Sequence, residues 1–143
     1  MIRSLAACLL GLALFTGCGD PGGAPAMHKL SMDFRDTFIA ELKKLGTYTE
    51  AGTSAGGSES VFTSALEFEV EGEGVKGLDI LSFGNQVRAK WGKEAGFSSH
   101  GGGGGGRLFA MEFGNEGEYA FIDVVAQPTE KGMSFLFLVR VTG

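Results

Sequence analysis

The sequence predicts an α+β domain in which an antiparallel sheet of about four strands carries two helices on one face, in the order α-β-α-β-β-β. Three observations predict this class. Two segments repeat apolar residues at helical intervals, residues 61–71 end in strict apolar and acidic alternation, and the C-terminal part consists of apolar runs joined by short turns.

Both predicted helices are indicated by one apolar face. The first helix begins after Met27, and its apolar positions are Leu30, Phe34, Phe38, Leu42 and Leu45, with charged residues between them. The second lies between Gly77 and Gly96, with its apolar positions at Ile80, Phe83, Val87 and Trp91. Asp79 or Ser82 is expected to cap the start of the second helix, because short oxygen-bearing side chains accept from free backbone N–H groups there.

The first strand is predicted at residues 61–71, where apolar and acidic residues alternate. One face carries Leu66, Phe68 and Val70, and the other carries Glu67, Glu69 and Glu71. Residues two apart on a strand are nearly 7 Å from one another, and the acidic loop of a calcium site is missing from the sequence. We therefore interpret the glutamates as a solvated sheet face.

The C-terminal part is predicted to form a meander of three strands at residues 107–113, 118–127 and 133–142. The connections at 114–117 and 128–132 have the length of hairpin turns. The last strand is apolar on both faces, because Leu136 and Leu138 alternate with Phe135, Phe137 and Val139. This pattern predicts a central strand that is at least partly covered on both sides.

Two glycine-rich stretches, residues 47–60 and 98–106, are interpreted as loops, since they lack apolar periodicity. The second contains six consecutive glycines and matches a dinucleotide-binding fingerprint only trivially. That fingerprint must follow a strand and open a helix, whereas this run is expected to leave a helix and enter a strand. No cofactor is therefore expected there.

The first of these loops contains a possible catalytic motif. Residues 52–56, Gly-Thr-Ser-Ala-Gly, match the G-x-S-x-G pattern around a serine nucleophile, and Asp79 and His100 follow Ser54 in the chain order of α/β-hydrolases. A nucleophile elbow needs a preceding strand and a following helix, and the predicted elements here do not provide them. A small hydrolase with its site near Ser54, Asp79 and His100 is the alternative hypothesis; the favoured one is a domain without catalytic activity.

The N-terminal segment has the pattern of a signal peptide. Arg3 is followed by 13 uncharged residues, Leu5 to Gly17. As a helix this run would span only about 20 Å, less than the roughly 30 Å of a bilayer core. It is therefore interpreted as a cleavable export signal.

This signal ends in Leu14-Phe15-Thr16-Gly17-Cys18, which resembles the lipobox of bacterial lipoproteins. The resemblance implies that the Cys18 Sγ carries a diacylglyceryl group and that cleavage before Cys18 makes it the new N-terminus. The expected organisation is a signal peptide at 1–17, a lipid-anchored flexible tether at 18–26 and one domain at 27–143. The expected location is the cell envelope: the outer membrane or the periplasmic side in a Gram-negative organism.

Composition limits the partners of the exported chain. The full chain has 12 Lys and Arg against 17 Asp and Glu, and loss of Arg3 leaves 11 against 17, a net charge of −6. This charge argues against nucleic acid as a partner. Loss of Cys8 with the signal leaves Cys18 as the last cysteine, which excludes an intrachain disulfide. A zinc site built on paired thiolates is excluded as well, because Cys18, His28 and His100 are the only Cys and His residues that remain. We expect a small envelope domain that binds a protein partner or a small ligand.

Overall fold

The computed structural model of the protein describes residues 23–58, 60–93, 98–115 and 117–143. These residues form two helices and six strands, with the bounds α1 Gly23–Lys43, β1 Thr47–Ser58, β2 Val61–Glu71, α2 Ile80–Trp91, β3 Ser98–Gly105, β4 Leu108–Asn115, β5 Glu118–Pro128 and β6 Gly132–Thr142. The predicted α+β class is confirmed. The predicted helices and the four predicted strands are all present.

All six strands form one antiparallel sheet in the order β1-β2-β6-β5-β4-β3. The last strand, β6, lies at its centre, as its two apolar faces predict. It pairs with β2 from Val61↔Thr142 to Glu71↔Gly132, and on its other side with β5. The C-terminus of the chain is thereby held between two neighbours over the whole length of its strand.

Both helices pack on the same face of the sheet, which we call the inner face. Phe34 and Phe38 of α1 are fully buried, and their rings lie 6.1 Å from Phe109 of β4 and 5.4 Å from Phe137 of β6, respectively. Trp91 of α2 meets Phe34 edge to face at 5.0 Å. Aromatic pairs at these distances add roughly 0.5–1.5 kcal/mol each beyond the burial of their apolar area.

Polar contacts join the two helices along the solvent side of this core. Oδ2 of Asp33 accepts hydrogen bonds of 2.9 Å from Nε1 of Trp91 and from Nζ of Lys93. Oε2 of Glu41 accepts two hydrogen bonds. One, of 2.9 Å, comes from Nζ of Lys44, directly after α1, and the other, of 3.0 Å, comes from Nζ of Lys90 in α2. Each of these two carboxylates of α1 therefore binds a side chain of α2.

The prediction of four strands and of the order α-β-α-β-β-β is wrong, because residues 47–58 form a strand and not a loop. The observed order is α-β-β-α-β-β-β-β. Strand β1 pairs with β2 from Thr47↔Glu71 to Ser58↔Val61, with an irregularity between Glu50 and Gly52. It is an edge strand with nearly all its side chains exposed, so it has no buried face to produce an alternating pattern.

Residues 98–106, which contain the six consecutive glycines, were likewise predicted to be a loop. Ser98–Gly105 instead form β3, the other edge strand of the sheet. It pairs with β4 from Ser98↔Gly114 to Gly105↔Leu108. Glycines carry no side chain that could signal a strand, and only the backbone groups of β4 make the extended conformation favourable. The sheet therefore has a glycine-rich strand at each edge.

Helix α1 begins at Gly23, so the last four residues assigned to the tether are helical. Cys18 and the signal peptide lie outside the described residues. Neither helix in the described part of the chain combines the length and the apolar character that a membrane crossing requires.

Candidate functional site

The face of the sheet opposite the helices, which we call the outer face, is the candidate site. Successive side chains of a strand point to opposite faces, so the register of the sheet defines which residues lie there. On β6, the buried residues Phe135, Phe137 and Val139 point to the inner face. Leu136, Leu138 and Arg140 consequently point outward, and none of the described elements packs over them.

A group of apolar side chains occupies the middle of the outer face. Leu136 pairs with Val125 of β5, which in turn pairs with Leu108 of β4. Most of these side chains are half-buried by their neighbours, and Leu108 is the most exposed at 39%. We call this group the apolar strip; its members are Leu108, Phe121, Val125, Leu136 and Leu138.

Two shallow hollows flank the strip. One, of about 430 Å³, extends across β1, β2, β6 and β5, and the other, of about 390 Å³, lies towards the opposite end of the same strands. The first hollow forms because small residues, Ser54, Gly56 and Ala65, stand beside the larger Phe121 and Leu138. The small residues of β1 therefore leave room for a hollow on the outer face next to the edge of the sheet.

Arg140 provides a positive charge within this surface. Its guanidinium carbon lies 4.2 Å from the ring centroid of Phe121, the residue paired with it on β5. A cation held over an aromatic face at this distance gains roughly 0.5–1 kcal/mol at an exposed position. Arg140 thus covers part of an aromatic ring that would otherwise be open to water.

Carboxylates surround the apolar strip on several sides. Glu67 and Glu69 lie on β2, Asp123 on β5 and Glu112 on β4, and the register places all of them on the outer face. In the described part of the chain, no group of three His, Cys, Asp or Glu side chains is arranged to hold a metal ion. The four carboxylates lie at separate register positions around the apolar strip.

The structure does not bring together the residues of the hydrolase hypothesis. Ser54 lies in the extended strand β1, paired with Ala65, so it has no sharp strand-to-helix turn around it. The backbone of His100 lies in β3, at the opposite edge of the sheet; the structure does not describe its side chain. The two edges are five strand spacings apart, about 24 Å along the sheet at ~4.8 Å per spacing.

Asp79, the third residue of that hypothesis, caps α2. Its Oδ1 accepts a hydrogen bond of 3.2 Å from the backbone N–H of Ser82, as expected for one of the two predicted caps. The neighbouring N–H of Ile80 donates to Gly106 at 2.9 Å. Asp79 therefore lies near the connection between β3 and β4, away from Ser54.

His28 is on the inner side of the sheet and does not belong to the outer face. Its ring is half-buried against Phe62, with 3.7 Å between the ring centroids. Burial lowers the pKa of His28 below 6.5, and the charge of Arg35 lowers it further. His28 therefore packs against Phe62 and takes no part in the outer face.

Sequence reasoning recognised Leu136 and Leu138 as a second apolar face but expected partial cover over them. It did not identify Leu108, Phe121, Val125 or Arg140 as part of one surface. The available signal was the alternation in residues 118–127, where Phe121 and Val125 are apolar on the side opposite Ile122 and Val124.

No protein-family model matches the chain, and no curated protein and no solved structure matches it.

Proposed function

We propose that this protein is a membrane-anchored bacterial lipoprotein whose small, non-catalytic envelope domain binds a protein partner or a small ligand through its outer face. The observation that carries the binding role is the apolar strip, which is half-buried on a face that none of the described elements covers. Contiguous apolar surface of this kind is typical of interaction sites.

The anchor is supported by the sequence before α1. Lipid on Cys18 would leave residues 19–22 between the anchored residue and the first helical residue, Gly23. Five steps of extended chain reach at most about 17 Å. The domain would consequently stay close to the membrane surface, and its outer face would be presented to partners within the envelope.

Metabolic labelling with an alkyne fatty acid tests the anchor. We expect label on the wild-type protein and none on Cys18→Ser, because a hydroxyl does not accept the diacylglyceryl group. The Cys18→Ser protein should also be lost from the membrane fraction. Equal labelling of the two proteins would contradict the lipoprotein assignment.

Affinity capture from detergent-solubilised membranes tests the binding role. The Leu136→Ser/Leu138→Ser protein should lose partners that the wild type retains, because both leucines are in the apolar strip. The control is Ala40→Ser/Ala89→Ser, at exposed positions of α1 and α2. Identical capture by all three proteins would exclude the outer face as the binding surface.

A further inference from the structure

We propose that the occupant of the outer face is a basic amphipathic helix belonging to another protein. This proposal deepens the binding role given above and rests on it. The charge around the apolar strip and the dimensions of the outer face favour such a partner over a second copy of this chain.

The charge on the outer face is strongly acidic. Among the described side chains that the register places there, the only cation is Arg140, which lies over Phe121. The carboxylates are Glu67, Glu69, Glu71, Glu112 and Asp123. Complementary charge around an apolar centre favours a partner that carries Lys or Arg beside its apolar side chains.

The dimensions fit a helix. From β4 to β1, the outer face crosses β5, β6 and β2, four strand spacings or about 19 Å. A helix of about 14 residues is ~21 Å long and presents apolar side chains at positions i, i+3, i+4 and i+7. These side chains would contact the strip and enter the hollow over Ala65, while basic residues at the helix margins face Glu67 and Glu69.

A second copy of this chain does not meet the same requirements. Two outer faces placed together would bring their carboxylates into contact. In the helix layer of a second copy, Lys44 and Lys90 already bind Glu41. Its large apolar side chains, including Phe34 and Trp91, are buried in its own core. An anionic membrane surface is disfavoured by the same carboxylates.

The proposal is tested with a fluorescent synthetic helix of about 14 residues, made of Leu and Lys, and the full-length lipoprotein in a neutral detergent. A second peptide carries Glu in place of every Lys, and detergent without protein is the blank. Fluorescence anisotropy should show binding of the Lys peptide above the blank and none of the Glu peptide. Equal binding of the two peptides, or no binding of the Lys peptide, would overturn the proposal.

Charge reversal locates the interaction. The Glu67→Lys/Glu69→Lys protein should bind the Lys peptide about tenfold more weakly, as expected when two exposed ion pairs become repulsions. The matched control, Asp36→Lys/Glu73→Lys, changes net charge equally at side chains that are 72% and 89% exposed and lie off the outer face. An equal loss in both proteins would overturn the proposed location, provided that their urea midpoints agree with the wild type.

Cross-linking in cells separates failure of this inference from failure of the binding role. The photoreactive amino acid p-benzoylphenylalanine is placed at position 138 in one full-length protein and at position 40 in another. We expect an adduct only from position 138, attached to a basic peptide with helical apolar spacing. An adduct with a neutral or acidic partner, a lipid or a second copy would overturn the basic-helix proposal alone; the absence of any adduct from position 138 would overturn the binding role as well.

Discussion

The ring of Phe109 in β4 occupies the space that a side chain at position 84 of α2 would need. A Cβ built on Gly84 would lie 2.7 Å from Cε1 of Phe109, and closer still to other atoms of that ring. Both residues are buried, and Phe109 also packs against Phe34 of α1. The missing side chain in the middle of α2 is therefore what lets this helix approach the sheet.

Gly84→Ala should destabilise the protein by about 1–3 kcal/mol, the range for an overpacked core. On helix propensity alone the same change would stabilise by roughly 1 kcal/mol, so the sign of the effect decides between packing and propensity. The urea midpoint provides the measurement. Gln86→Ala, at an exposed position of the same helix, should change it little, and Phe109→Leu should reduce the loss caused by Gly84→Ala.

The Asp33 contacts predict a pH-dependent part of the stability. The hydrogen bond from Lys93, followed by that from Trp91, holds the pKa of Asp33 below its ordinary value of 3.8. Because the pKa of Asp33 is lower in the folded than in the unfolded protein, its charged carboxylate stabilises the fold above pH 3.8. This stabilisation is lost as the pH falls through the pKa of the folded state.

Asp33→Ala should therefore cost about 0.5–1 kcal/mol at pH 7, a modest value because the carboxylate is partly exposed. The difference from wild type should shrink as the pH falls below about 4. Urea unfolding at several pH values measures it. Asp36→Ala removes an exposed carboxylate from the same helix and serves as the control; an Asp33→Ala difference that stayed constant down to pH 2.5 would show that the charged form is not the stabilising species.

Phe137→Ala should cost about 3–5 kcal/mol, because it would empty a large, fully buried site in the central strand. Glu69→Ala, on the exposed side of β2, should cost almost nothing. Since a domain of this size has roughly 5–15 kcal/mol of total stability, the first change should visibly lower the urea midpoint. Comparable losses from both substitutions would mean that the glutamate face is covered.

Two neighbouring glycines of β3 should respond oppositely to alanine. At Gly103 a Cβ meets no atom within 4 Å, so Gly103→Ala should stabilise by about 0.5–1 kcal/mol through the lower entropy of the unfolded chain. At Gly104 the backbone φ is +138°, and a Cβ would collide with the carbonyl oxygen of Leu108. Gly104→Ala should destabilise by more than about 1 kcal/mol. Thermal unfolding of the two variants provides the measurement. If residues 98–106 were a loop, the thermal midpoints of Gly103→Ala and Gly104→Ala would be nearly equal.

The sequence by itself determined both helices and the strands β2, β4, β5 and β6. Each of these elements buries one face in the core, so its apolar residues recur with the period of the element, as in Phe34 and Phe38 or in Leu66 and Phe68. The capping role of Asp79 could be predicted as well, because a cap depends on local chain geometry alone.

Only the tertiary structure decided the two edge strands and the outer face. Strands β1 and β3 are formed by backbone pairing with β2 and β4. The exposed residues of β1 and the consecutive glycines of β3 carry no periodic signal. The outer face brings together residues from separate strands, such as Phe121 and Arg140, whose proximity depends on strand order. Strand order is set by long-range pairing, so no local pattern in the sequence could show that these side chains form one surface.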